Sequence, residues 1–270
     1  MDRGGGNWPM RRSITHRVNA ERVLLLAWPR AILLQLAHPL VAAGVADHSS
    51  FREGPATAAQ RLHETVRAMV SLTFGDAAAH AQTIASILTI HRRVHGKLRT
   101  DIGPFPAGTP YSAEDPKLVL WVHATLIESV LDLYDRVIAP LSSRDRDAYC
   151  QEAAEVAIEL HARPADVPHT WTALADCLDA AFRSGAIVVG PDAKAVADSV
   201  LTPPLPLLTW PAGRLVRRVT LGLLPADLRA QYGYTWTAED ERRFAAALRR
   251  VRRLRRFTPA RLALWPEGRT

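Results

Sequence analysis

Apolar residues recur at helical spacing along most of this chain, and the strict alternation typical of a half-buried β-strand is almost absent. Prolines break the pattern at short intervals, as at Pro29, Pro39 and Pro140, so a succession of helices is predicted. Hydrophobic residues make up 48% of the 270 residues, which excludes a disordered chain. Since no linker rich in glycine and serine divides the chain, the predicted fold is a single-domain, all-α, multi-helix bundle.

The breaks in this pattern set the predicted bounds. Helices are predicted over about residues 19–47 (broken at the two prolines), 57–74, 76–95, 113–138, 144–161, 171–183, 192–201, 207–221, 226–232 and 238–256, with a loop over 97–110. Thr237 and Asp240 have the spacing of a capping box at the start of the last helix. Residues 1–18 are predicted to be a flexible N-terminal segment, 19–262 the helical domain and 263–270 a C-terminal tail.

The excess of positive over negative charge lies in one segment of the chain. Residues 241–256 carry eight arginines and a single acid, which equals the whole net charge of +7. Phe244, Leu248, Val251 and Leu254 recur there at near-helical spacing, which predicts an apolar face packed on the protein and a basic face in solvent. Peripheral contact with an anionic membrane is one interpretation. Nucleic acid is disfavoured as a partner, because the segment has no aromatic platform and no helix-turn-helix pattern.

Two features bear on the compartment. Cys150 and Cys177 are too few for a disulfide framework and form no C-x-x-C motif, so a reducing, cytoplasmic setting is predicted. The apolar run over residues 23–46 is long enough to span a bilayer, but it contains Arg30 and two prolines. A broken, buried helical hairpin is therefore predicted there.

The common enzyme motifs are missing, including the phosphate-binding loop, the G-x-S-x-G elbow and H-E-x-x-H. Histidines are the remaining candidates. His91 and His95 are four residues apart, which predicts one helix face that could ligate a metal or flank a flat cofactor. Spacing alone favours one buried, hydrogen-bonded histidine and one solvated histidine instead. His38 and His123 each lie in apolar helical stretches and are individually typical of core histidines, but together with this pair they indicate a shared interior pocket.

Arg61 and Thr65 are also four residues apart, so they share a predicted helix face. An arginine there suits a ligand carboxylate, and the threonine suits a hydrogen bond to the same ligand. A solvated contact between Arg61 and Glu64 is the alternative, and the spacing alone favours it.

The order of several short motifs is more specific than any one of them. These motifs are residues 34–49 (LQLAHPLVAAGVADHS), 61–65 (RLHET), 74–76 (FGD), 91–96 (HRRVHG), 111–116 (YSAEDP) and 121–126 (WVHATL). In this order they resemble the rubber-oxygenase (latex-clearing protein) catalytic-domain family, also known as MpaB-type oxygenases. The resemblance extends over about residues 22–259 and is densest over 34–126.

The resemblance implies an all-helical fold that holds haem b, with the iron ligated by a histidine, and a reaction with dioxygen. It implies His91 as the iron ligand, with His95 as the competing choice. It also implies that Arg61 and Thr65 lie near the haem pocket, with Arg61 directed either to a haem propionate or to the distal side. His38 and His123 join Arg61, Thr65 and His91 as the expected cofactor-binding residues.

Arg61, Glu64 and Thr65 are the expected catalytic residues, but one of them departs from the family pattern. Glu64 stands where the characterised rubber oxygenases, which cleave the double bonds of polyisoprene, have a distal lysine. The expected substrate is therefore a small hydrophobic molecule, lipid- or isoprenoid-like, and not rubber. A haem- or lipid-binding helical protein without turnover is the alternative, and a peripheral membrane protein that uses the basic helix is a third.

Overall fold

The computed structural model describes residues 13–48, 55–201 and 210–269, with the backbone alone for 55–62 and 210–211. The helices are α1 (Ile14–Asn19), α2 (Trp28–Leu36), α3 (Pro39–His48), α4 (Pro55–Phe74), α5 (Ala77–His91), α6 (Pro116–Val137), α7 (Ser143–Glu159), α8 (Trp171–Arg183), α9 (Pro191–Leu201), α10 (Trp210–Leu223), α11 (Ala226–Gln231), α12 (Ala238–Phe257) and α13 (Ala260–Ala263). Short 3-10 turns lie at Arg22–Leu26, Pro164–Asp166 and Pro266–Arg269. Strands β1 (His95–Lys97) and β2 (Pro110–Ser112) pair antiparallel. The single-domain, all-α class is confirmed.

Helix α6 is the centre of the bundle. It contributes to each of the four apolar clusters in the described residues, through Leu118, Val119, Trp121 and Leu131 among others. Helices α2, α7, α8 and α12 pack around it. Leu131 is fully buried, and truncating such a leucine to alanine costs about 2–5 kcal/mol. Burial on most sides of α6 explains why its sequence is apolar with little interruption.

The apolar run near the N-terminus forms the predicted broken hairpin. The segment Arg22–Leu36 and helix α3 meet at a bend of 108°. Because Pro39 has no N–H to continue α2, it begins a new helix in its first turn. No single helix in the described ranges is long and apolar enough to cross a bilayer, and only this bent pair passes by length and composition.

The helix predicted over 76–95 ends four residues early. Helix α5 stops at His91, and His95 begins strand β1. The reason is long-range, since the backbone of 95–97 pairs with 110–112 on the far side of the loop. Gly96 allows this pairing, because a Cβ there would lie 2.5 Å from the Tyr111 hydroxyl. The prediction that His91 and His95 share one helix face is therefore wrong.

Helix α12 begins as predicted and differs at its end. The Thr237 hydroxyl accepts from the backbone N–H of Asp240, and the Asp240 carboxylate accepts from the backbone N–H of Thr237, so the capping box is confirmed. Phe244 and Val251 are buried, but Leu254 is 67% exposed. Its assignment to the packed apolar face is wrong, because Arg255 takes the inward position after Val251 and pairs with the buried Glu21.

Packed structure extends beyond the predicted domain bounds, 19–262, at both ends. Ile14 and Val18 of α1 are buried in the core, although they belong to the segment predicted to be flexible. In the predicted tail, the backbone N–H of Trp265 donates to the carbonyl of Ala20, 2.9 Å away. Residues 1–12 and the start of the helix predicted over 207–221 lie outside the described residues.

Candidate functional site

His91 is the last residue of α5 and is half-buried. Its ring nitrogen Nδ1 is buried and has no hydrogen-bond partner among the described residues. Burial lowers the pKa of His91, while the carboxylate of Glu114 opposes this shift and His161 adds to it. These two neighbours place the ring where α6 begins and α7 ends. The imidazole is therefore neutral at pH 7, and a nitrogen capable of ligation is left unused by the protein.

His123 presents a similar nitrogen about two turns into the central helix α6. Its Nε2 is buried and also lacks a partner within the described ranges. Burial lowers its pKa to about 4. Because buried polar atoms almost always have a hydrogen-bond partner, an unused one calls for a specific explanation. Only four such side-chain atoms occur among the described residues, and two belong to histidines that the sequence indicates.

His38 lies at the break between α2 and α3 and plays a local role. Its Nδ1 accepts from the backbone N–H of Leu40 at 3.3 Å, so it caps the first turn of α3. Its ring centroid lies 5.4 Å from that of Phe105. Burial lowers the pKa of His38 to about 4, and Asp115 opposes this. His38 is therefore neutral at pH 7, with one ring nitrogen occupied.

The end of α2 is fixed to the turn of α6 that holds His123. The Trp121 Nε1–H donates to the carbonyl of Gln35 at 3.3 Å, and the Gln35 side-chain amide donates to the carbonyl of Val122 at 3.3 Å. These two hydrogen bonds set the position of α6 relative to the α2–α3 break and hence to His38.

His95 is not on a helix, whereas Arg61, Glu64 and Thr65 lie on one helix, α4, as predicted. The His95 side chain is exposed on β1, and its carbonyl oxygen lies 3.0 Å from Nε2 of His48. Glu64 and Thr65 are exposed on α4, which packs against α5, and neither is without a partner. Arg61 lies on the backbone of α4, but its side chain is outside the described residues.

A cavity that the sequence did not indicate lies between α2, α6 and α8. Its volume is about 240 Å³. It is lined by Arg30, Leu34, Thr125, Glu128, Trp171, Leu174, Ala175, Leu178, Asp179, Phe182 and Pro225. The lining is mostly apolar, and neither His91 nor His123 belongs to it. Among the described residues, the structure does not bring the histidines and this cavity into one pocket.

Arg30 organises the polar side of this cavity from the middle of an apolar helix. Its Nε–H donates to the carbonyl of Leu223 at 2.8 Å, one guanidinium nitrogen donates to Ser129 Oγ at 2.7 Å, and the other donates to Glu128 at 3.1 Å. The first of these nitrogens also contacts the second Glu128 oxygen. Isolated charges within apolar helical runs, Arg30 and Glu128, are the sequence signal that could have indicated this network.

The decisive comparison is with protein-family models. Residues 15–253 match the model described as the ER-bound oxygenase mpaB/B'/rubber oxygenase catalytic domain. The chain belongs to this family. The resemblance seen in the motif order is thereby confirmed, and the activity class is oxygenase, acting on a small molecule with dioxygen.

Two relatives similar to this family member are described as uncharacterised proteins. One protein of Mycobacterium tuberculosis and one of Mycobacterium bovis are each 26% identical to it over 239 residues, covering 85% of this chain and 88% of the relative. No solved structure matches the chain.

The side chains of this oxygenase-family protein form no multi-residue metal centre in the described ranges, since no three His, Cys, Asp or Glu residues come together there. A haem needs only one axial protein ligand, so it does not require such a cluster. His91 and His123 are the histidines whose ring nitrogens meet that simpler requirement.

Proposed function

We propose that this protein is a haem b-dependent oxygenase that acts with dioxygen on a small hydrophobic molecule, lipid- or isoprenoid-like. One observation carries the proposal: Nδ1 of His91 is buried and has no partner in the described part of the chain. Such an atom is costly to bury unless something binds it. Ligation of iron would satisfy it, and the residue lies where the family resemblance puts the axial ligand.

The protonation state of His91 supports the same assignment. A ligating imidazole must be neutral, and burial holds the pKa of His91 below its ordinary value. His95, the competing ligand, is exposed on β1 and does not share a helix face with His91. His91 is therefore the better-supported iron ligand. When bound, haem would supply the iron centre at which dioxygen is activated.

The remaining predicted residues would help to hold the cofactor. Helix α4 packs on α5, the helix that ends at His91, and the proposal assigns Arg61, Glu64 and Thr65 of α4 to the haem site. Arg61 would bind a carboxylate, either a haem propionate or a group on the distal side, and Thr65 would donate a hydrogen bond. His38 and His123 stay neutral, so they add polar contacts to an apolar environment without adding charge.

The mostly apolar lining of the 240 Å³ cavity, to which His91 and His123 do not belong, suits a hydrophobic molecule of limited size. The proposed catalytic unit is the helical domain over 19–262, together with α1 and the segment around Trp265 that pack on it. A cytoplasmic location is part of the proposal, supported by Cys150 and Cys177, which are both free thiols.

The proposal is tested on protein purified from haem-replete cells. We expect about one haem per chain, and the ferrous protein should consume dioxygen when a short isoprenoid alkene is added, with oxygen-18 from the gas appearing in the product. If the protein binds haem but consumes no dioxygen with any of a panel of alkenes, the alternative of a haem-binding protein without turnover would be favoured. Protein that neither contains nor takes up haem would contradict the proposal.

A further inference from the structure

The C-terminal end of the bundle exposes large apolar side chains. Leu254, Phe257 and Leu262 are 67%, 74% and 60% exposed, and they are three of the five large apolar side chains that the described ranges expose. Exposing single apolar residues is ordinary, but these three lie within nine consecutive residues, and such a concentration indicates a binding surface. We call these three residues and the arginines around them the C-terminal patch.

The charge of this patch is largely uncompensated. Among the α12 arginines, Arg242 and Arg243 pair with Glu239, and Arg255 pairs with Glu21. No carboxylate in the described part of the chain pairs with the other five. These five are Arg249, Arg250, Arg252, Arg253 and Arg256.

Apolar and basic groups share one face of α12. Arg250, Leu254 and Phe257 follow one another at spacings of four and three, which places them side by side along the helix. Phe244 and Val251, about a quarter-turn around the helix from this face, are buried in the core. The helix therefore packs apolar side chains against the protein, and it presents both apolar and cationic side chains to solvent.

The body of the protein holds this end in place. The Glu21 carboxylate accepts two hydrogen bonds from the Arg255 guanidinium, at 2.5 and 2.6 Å. Glu21 also forms a backbone bridge with Leu264, just beyond α13. Leu254, Phe257 and Leu262 are thus presented on a fixed surface, since the residues on both sides of them are anchored.

We propose that the C-terminal patch docks this protein on the surface of an anionic phospholipid bilayer. Lipid headgroups would meet the arginines, while Leu254, Phe257 and Leu262 would enter the boundary with the acyl chains. Nucleic acid would bind the arginines through its phosphates, but its binding would not account for the exposed apolar side chains. A two-fold dimer through this patch would place the five unpaired arginines of one copy against the same five of the other, and like charges repel. This proposal goes beyond the proposed oxygenase activity and does not depend on it.

Vesicle co-sedimentation of the full chain tests the proposal. We expect binding to phosphatidylcholine vesicles with 30% phosphatidylglycerol, weakening as salt rises, and little binding to phosphatidylcholine alone. Arg249→Gln, Arg250→Gln and Arg253→Gln together should weaken binding about a hundredfold, or about fivefold per arginine. Arg144→Gln, Arg163→Gln and Arg183→Gln together remove the same charge elsewhere on the exposed surface and should have far less effect.

The apolar part is tested at constant charge. Leu254→Ser with Phe257→Ser should weaken binding to the anionic vesicles at least tenfold while leaving the helical circular-dichroism signal unchanged. Equal binding of this variant and the wild type would overturn the proposal. So would tight binding to duplex DNA without vesicle binding, or a wild-type dimer that the same double substitution dissociates.

Discussion

Glu21 and Arg255 form a two-point ion pair across 234 positions of the chain, with N–O distances of 2.5 and 2.6 Å. Glu21 is almost fully buried, and Arg255 is about three-quarters buried. The pair fastens the basic helix α12 to the turn that precedes α2. One of the eight arginines of the basic segment is therefore structural, and it is not available to a partner.

Replacing Glu21 by glutamine should lower the free energy of unfolding by about 2–4 kcal/mol, because it leaves the Arg255 guanidinium buried without its counter-charge. Urea denaturation measures this. Arg136→Gln is the matched control, since it breaks the exposed pair with Asp132 and should cost about 0.5 kcal/mol or less. Equal effects of the two substitutions would show that the Glu21 pair is not structural.

Stability should depend on pH through His123. Its pKa is about 4 in the folded protein and near 6.5 when unfolded. Between these values the unfolded chain binds the extra proton, so the free energy of unfolding falls as pH drops from 6.5 to 4, by about 3 kcal/mol from this residue. In haem-free protein, His123→Leu should flatten that slope. The exposed His169→Gln should leave it unchanged, and a slope identical in all three proteins would contradict the assignment.

The Arg30–Glu128 pair should behave as one unit in a double-mutant cycle. Arg30→Met leaves the Glu128 carboxylate, Ser129 and the Leu223 carbonyl without their donor, and should cost about 3–5 kcal/mol. Adding Glu128→Leu should recover part of this loss, because the uncompensated charge disappears. Thermal denaturation of the four proteins gives the coupling. Strictly additive losses would mean that the pair is not coupled.

Filling the cavity between α2, α6 and α8 should impair substrate use. Ala175 lines the cavity at its exposed edge, so Ala175→Trp should raise the concentration of isoprenoid alkene needed for dioxygen consumption at least tenfold. Ala180→Trp, on an exposed part of the same helix outside the lining, is the control. Unchanged kinetics for Ala175→Trp would place the substrate elsewhere.

Local signals predicted those parts of the fold that local interactions decide. Helix α8 spans Trp171–Arg183 as predicted, because the Thr170 side chain caps it by accepting from the Ala173 N–H at 3.1 Å. The capping box at Thr237 set the start of α12 in the same way. Prolines likewise marked the broken hairpin of α2 and α3.

The features that the sequence pattern did not predict depend on contacts between residues far apart in the chain. His95 is not helical because its strand pairs with residues beyond the loop. Leu254 is exposed because Arg255 takes the inward position and pairs with Glu21, 234 positions away. The Arg30–Glu128 pair joins residues 98 positions apart. For the site, the sequence indicated His91 and His123, but only the structure showed that each has an unused, buried ring nitrogen.

The visible spectrum of the ligand variants is the most direct test of the central claim, that His91 binds haem iron. Reconstituted wild-type protein should show the Soret band of histidine-ligated haem, and His95→Ala should retain it. His91→Ala should lose or shift the band and regain it on addition of imidazole. A wild-type spectrum from His91→Ala, or no Soret band in any protein after haem addition, would contradict the claim.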